Sequence, residues 1–191
     1  MIAAVGPGEV DVAAGRIAGV GPGGVVARPG LFGRLGGPAR VTVVAAPAGS
    51  GKTVLLRSWI AEAGLAGRAA WVAARREERD PQRFWLSVAG ALRQTGPGAG
   101  LVQAVSAAPE LDGWALAERL LSDLAPLEDP VWLVVDDVHE LGPDALRQLE
   151  LLLMRAPAGL RFVLAAAEAL GLELLEVRRL PPRDEPRAPS S

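Results

Sequence analysis

Val41-Thr42-Val43-Val44-Ala45-Ala46-Pro47-Ala48-Gly49-Ser50-Gly51-Lys52-Thr53 decides the fold of this chain. Its first half is a short apolar, β-branched run of the kind that forms a buried parallel strand. Its second half follows G-x-x-x-x-G-K-[ST], with Ala46 standing where the pattern begins with Gly. Small residues at such a strand-to-helix turn let successive backbone N–H groups face inward around phosphate oxygens at a helix N-terminus. Ala48, Gly49, Ser50, Gly51, Lys52 and Thr53 are therefore the expected phosphate cradle. Gly49 and Gly51 permit the turn, the Lys52 ammonium reaches the β- and γ-phosphates, and the Thr53 hydroxyl ligates Mg²⁺. After Lys52, apolar residues at 54, 55, 59, 60 and 63 recur at helical spacing, and Gly64 lies where a helix stop is expected.

About 80 residues downstream stands the second half of the expected site, where the motif context of the phosphate loop favours it. Val131-Trp132-Leu133-Val134-Val135 reads as the clearest strand in the chain and runs into Asp136 and Asp137. Two carboxylates there lie at the C-terminal edge of the sheet, where open α/β folds bind ligands. Asp136 is expected to hold Mg²⁺ through water, sharing it with Thr53, and Asp137 to orient or deprotonate an attacking water. His139 follows at once, and packing or hydrogen bonding is favoured for it over contact with a γ-phosphate.

The remaining pattern alternates strands with helices. Residues 69–74 read as a strand, and Asp80-Pro81 as a cap and first helical residue leading into a helix through Phe84, Trp85, Val88 and Leu92. Residues 96–100 break the pattern, 114–124 and 143–154 restore helices, and 160–167 form another buried strand. This alternation predicts an α/β fold, a P-loop NTPase whose parallel β-sheet carries helices on both faces. Residues 1–24 read as a flexible Gly/Pro/Ala-rich leader, 25–180 as the nucleotide-binding domain, with one further strand within 173–180, and 181–191 as a disordered Pro/Arg/Ser tail. The tryptophans at 59, 71, 85, 114 and 132 are expected mostly in the core.

Composition narrows the function. The 191 residues contain no cysteine and one histidine, which excludes disulfides, thiolate zinc sites and a cysteine nucleophile. A net charge of −2 provides no basic footprint for nucleic acid, so direct nucleic-acid binding is not expected. No apolar run approaches the ~20 residues needed to span a bilayer, and no secretion signal is evident, so a cytoplasmic location without membrane contact is expected. Lys52 is the only lysine among twenty cationic Lys and Arg residues, in keeping with a position that needs an ammonium.

With both motifs placed, the chain resembles the nucleotide-binding domain of the LuxR-type large ATP-binding regulators, within the signal-transduction ATPases with numerous domains. The resemblance rests on Val26-Ala27-Arg28-Pro29-Gly30-Leu31, the cradle followed by Trp59, Ala70-Trp71-Val72, and Asp80-Pro81-Gln82-Arg83-Phe84-Trp85. It continues through Leu133-Val134-Val135-Asp136-Asp137-Val138-His139-Glu140-Leu141 and Leu160-Arg161-Phe162-Val163-Leu164-Ala165, covering about residues 25–180. Ala at the first cradle position is common in that group. The resemblance implies ATP with Mg²⁺ as ligands, slow hydrolysis at most, and self-association in the ATP form. The family usually ends the strand matching 160–167 with Ser-Arg, the arginine sensing the γ-phosphate, whereas this chain reads Ala165-Ala166-Ala167-Glu168. That departure is expected to weaken hydrolysis before binding. Neither sensor nor DNA-binding modules are read in the sequence, so the expected role is a nucleotide switch present without them. A small P-loop kinase and a non-enzymatic truncated remnant are the alternatives.

Overall fold

A computed structural model describes residues 2–6, 9–13, 29–75, 80–103 and 111–167, with side chains from Gly30 onward. Six strands form one sheet: β1 (Ile2–Gly6), β2 (Glu9–Ala13), β3 (Val41–Ala45), β4 (Ala69–Ala73), β5 (Val131–Asp136) and β6 (Leu160–Ala166). Among them run α1 (Pro29–Leu35), α2 (Lys52–Glu62), α3 (Pro81–Arg93), α4 (Gly96–Ala99), α5 (Gly113–Leu124) and α6 (Pro143–Arg155), with a 3₁₀ turn at Val138–Glu140. The spatial order is β2-β1-β3-β6-β5-β4. β3, β6, β5 and β4 are mutually parallel, while β1 and β2 are antiparallel additions at the β3 edge. The chain is thus an α/β fold with a parallel sheet at its centre.

Period-two alternation splits the apolar strands between two cores. Leu133, Val135, Phe162 and Leu164 join Val43 in the larger core beneath α3, α5 and α6. Val134, Val163 and Ala165 join Val44 in the smaller one, closed by Leu35 of α1 and by Leu56 and Trp59 of α2. Helices on both faces follow from that division, since a strand apolar on both sides needs cover on both.

The helix ends obey the signals in the sequence. Asp80 caps α3 by accepting from the Gln82 N–H at 3.0 Å, with Pro81 at the first helical position. Asp112 caps α5 by accepting from the Ala115 N–H at 2.8 Å. At the end of α2, Leu65 N–H returns to Ile60 C=O at 2.9 Å and Gly64 N–H to Ala61 C=O at 3.2 Å. This paired closure satisfies carbonyls that the helix leaves open.

Two expectations need correction. Residues 1–24, read as a flexible leader, contain β1 and β2, with β1 hydrogen-bonded to β3 in the register Ile2↔Val44 to Val5↔Val41. The abundance of Gly and Ala concealed a hairpin signal, for Ile2, Val5, Val10 and Val12 flank a Pro7-Gly8 turn dipeptide. What fixes the hairpin is the free edge of β3, which lies outside any local window. The break expected at 96–100 is itself helical, as α4, capped by Thr95, whose side chain accepts from Gly98 N–H at 3.1 Å. The tryptophans lie mostly in the core, as expected: Trp59 and Trp85 are fully buried and Trp71 and Trp132 half-buried, with Trp114 42% exposed on α5. The strand expected within 173–180, the tail at 181–191 and Glu168 lie outside the described residues.

Buried polar groups join the layers. Trp85 donates its indole N–H to Gln148 Oε1 at 2.6 Å, linking α3 to α6 inside the larger core. Arg40, just ahead of β3, donates from Nη2 to the Leu153 carbonyl at 3.0 Å and also to that of Ala156, placing a cation at the C-terminal end of α6 where the helix dipole favours it. Burial holds that guanidinium below its ordinary pKa. No helix among the described residues is long and apolar enough to cross a membrane.

Candidate nucleotide site

The chain leaves β3 at Ala45 and enters α2 at Lys52, so the intervening turn lies at the C-terminal edge of the sheet. Gly49 and Gly51 have φ of +74° and +82°. Any side chain at either position would be strained in this left-handed region, which explains why the motif has Gly at both. Ser50 N–H bonds to the Pro47 carbonyl at 3.2 Å, tightening the loop.

Lys52 is buried at 8% exposure and donates from Nζ to the carbonyls of Ala46 at 2.8 Å and Pro47 at 3.2 Å. Its ammonium therefore lies folded across the loop that encloses it, held by neutral acceptors. A phosphate would compete with those carbonyls on favourable terms, because an anionic acceptor adds charge–charge attraction that a neutral carbonyl does not supply.

β5 carries the acids to the same edge. Asp136 is 3% exposed, and its Oδ2 accepts from Thr53 Oγ1 at 2.8 Å while Oδ1 accepts from the Asp137 N–H at 3.1 Å. The two side chains expected to share a cation are thus in direct contact across 83 residues of sequence. Asp137 has φ 56° and ψ 40°, the described non-glycine residue with positive φ, and opens the 3₁₀ turn. Such a backbone costs a non-glycine residue about 1–3 kcal/mol, and such strain clusters at functional sites.

Between β3 and β5 lies β6, so the cradle and the acids are not carried on neighbouring strands. The end of β6 touches both. Ala166 C=O accepts from Ala46 N–H at 3.2 Å, and Ala167 N–H donates to His139 Nδ1 at 3.1 Å. His139 is therefore hydrogen bonded, as favoured from the sequence, but to the backbone just past a strand that local reading could not place beside it. Ala46, Pro47 and Ala167 act through backbone atoms, which side-chain motifs do not register.

The arrangement suits a phosphate ester with a small hard cation. Ser50 Oγ is buried with no hydrogen-bond partner, a polar group left without a protein acceptor or donor inside the proposed cradle. A hydroxyl and a carboxylate meeting at 2.8 Å are the oxygen ligands that Mg²⁺ accepts, with water completing its shell.

Residues 36–172 match the family model described as an AAA domain. The chain belongs to the AAA domain family. The AAA domain here is 29% identical over 160 residues to the HTH-type transcriptional regulator MalT of Yersinia enterocolitica serotype O:8 / biotype 1B, covering 80% of this chain and 17% of that protein. It is 28% identical over 144 residues to the regulator of the same name from Yersinia pestis strain Pestoides F, covering 73% of this chain and 16% of that one. The chain therefore spans about a sixth of the length of the curated relatives it matches. Among solved structures it is similar to the Aeropyrum pernix ORC1 protein in complex with DNA, with a TM-score of 0.49 and 24% identity over 71% of this chain and 35% of that one. Cdc6p from Pyrobaculum aerophilum has a TM-score of 0.48 and 17% identity, over 72% of this chain and 36% of its own. The β1–β2 hairpin and α1 precede the matched residues of the AAA domain.

Proposed function

We propose that this AAA domain is an ATP-binding switch of the LuxR-type regulator kind, turning over its nucleotide slowly if at all. The observation that carries this reading is the Thr53 Oγ1–Asp136 Oδ2 contact at 2.8 Å, which unites the phosphate loop with the acid strand. Ala48, Gly49, Ser50 and Gly51 surround the phosphates with backbone N–H groups, and Lys52 neutralises the β- and γ-phosphates. Thr53 and Asp136 hold Mg²⁺, which when bound neutralises charge on the phosphate oxygens. Asp137 orients or deprotonates the attacking water. ATP rather than another nucleotide, and self-association in the ATP form, rest on the likeness to the MalT regulators. A net charge of −2 supports a domain that does not itself hold DNA.

Calorimetry of Mg-ATP and Mg-ADP binding, beside Lys52→Ala, tests the reading. The expected result is saturable binding by the native chain and a loss of about a hundredfold or more in the variant, ~2.7 kcal/mol at least. Equal affinities for the two proteins, or no binding by either, would remove the proposal.

A further inference from the structure

A closed circuit of hydrogen bonds surrounds the candidate site. Ala46 N–H reaches Ala166 C=O, and the next residue, Ala167, gives its N–H to His139 Nδ1. His139 sits on the 3₁₀ turn directly behind Asp136 and Asp137, and Asp136 closes the loop by accepting from Thr53. The Ala46 carbonyl is at the same time an acceptor for Lys52 Nζ. Any phosphate that draws the ammonium away therefore changes the partner of a residue whose N–H is anchored on the end of β6.

We infer that His139 is a positioning residue that couples the phosphate loop to the acid turn through the end of β6. The inference rests on the nucleotide-binding reading given above. Asp137 takes a strained left-handed conformation and Val138 is fully buried, so the turn is pinned at its root. His139 projects from that pinned turn, its side chain 33% exposed, with Nε2 3.5 Å from Glu140 Oε1. Accepting the Ala167 N–H requires an Nδ1 free of a proton, with the ring hydrogen on Nε2 on the side of Glu140. Ala167 directly follows β6, the strand between cradle and acids, so its bond to His139 gives the two halves of the site a second link beside the direct Thr53–Asp136 contact. A histidine with only a packing role would need no acceptor at Nδ1 directed at a backbone N–H.

The test compares the native chain with His139→Asn, whose side-chain oxygen replaces Nδ1 as an acceptor, and His139→Leu, which cannot accept. Amide hydrogen exchange is read at Ala167 and, as a reference, at Val134 in the sheet centre, together with the Kd values of Mg-ATP and Mg-ADP. In His139→Leu the exchange at Ala167 is expected to rise at least tenfold while Val134 changes less than twofold. The ratio of the two Kd values should shift at least threefold, and His139→Asn should restore both readouts. Unchanged Ala167 exchange in His139→Leu overturns the proposal, as does failure of His139→Asn to differ from it, or an unaltered Kd ratio. Absence of nucleotide binding by the native chain removes the function reading as well, whereas binding with an unaltered ratio removes this inference alone.

Discussion

Lys52, Thr53 and Asp136 show how little of a site has to be non-local to be decisive. Chemistry dictates each residue type, with an ammonium suited to phosphate and a hydroxyl and a carboxylate suited to a hard cation. Each was identifiable from its immediate neighbours in the sequence. What the neighbours do not encode is the 2.8 Å meeting of Thr53 with Asp136, since the partners are 83 residues apart. Asp137 combines the two kinds of information, because its carboxylate is the group proposed to act on water and its φ of 56° belongs to the turn. The two can be separated. Asn also tolerates the left-handed region, so Asp137→Asn should melt like the native chain, whereas Asp137→Ala should lose about 1 kcal/mol. Both should depress any ATP turnover by about a hundredfold, since neither retains a base. Thermal melting and single-turnover hydrolysis check this, and native turnover in Asp137→Asn would show that the carboxylate has no part in the reaction.

Elements were legible where hydrophobic period and capping agree. β3, β5 and β6 are runs of β-branched and apolar residues, and α3 begins with Asp80-Pro81, so local chemistry and tertiary demand coincide. α4 was not legible, because its Gly96-Pro97-Gly98 start has poor helix propensity. Tertiary packing overrides that propensity there. A Cβ on Gly98 would stand 2.0 Å from the Leu92 carbonyl oxygen, so the glycine lets one backbone lie on another. Gly98→Ala must displace main chain, and a loss of roughly 1–3 kcal/mol is expected from such overpacking. Urea unfolding measures it, and a native midpoint would contradict the close approach. Trp85→Phe should cost about 1–3 kcal/mol by the same assay, because Gln148 Oε1 would be left buried without its donor. An unchanged midpoint would mean that the indole bond contributes nothing net.

At the scale of the whole molecule the sheet order is the main result. The cradle strand β3 and the acid strand β5 are both neighbours of β6, and the β1–β2 hairpin closes the side of β3 that β6 leaves open. An uncovered parallel edge invites pairing with other chains. Removing residues 1–13 should therefore lower the melting temperature and produce concentration-dependent association in size-exclusion chromatography. Nucleotide affinity in the monomeric fraction should remain, since neither the cradle nor the acids lie in the hairpin. A truncated chain that stays monomeric and melts as the native one would show that the edge needs no cover.

Chemistry confined to a few consecutive residues was determined by the sequence itself: the glycine-rich turn between β3 and α2, the acid pair at the end of β5, the cap of α3, and the alternation that implies a parallel sheet. These depend on backbone conformation and side-chain type within one or two turns of chain, and such interactions are present in any local window. The tertiary structure alone decided that β6 lies between β3 and β5, that a Gly-rich start forms a hairpin on β3, and that His139 reaches Ala167. Those outcomes depend on which strand edges remain unpaired once the two cores are buried, a property of the assembled sheet that no single segment carries.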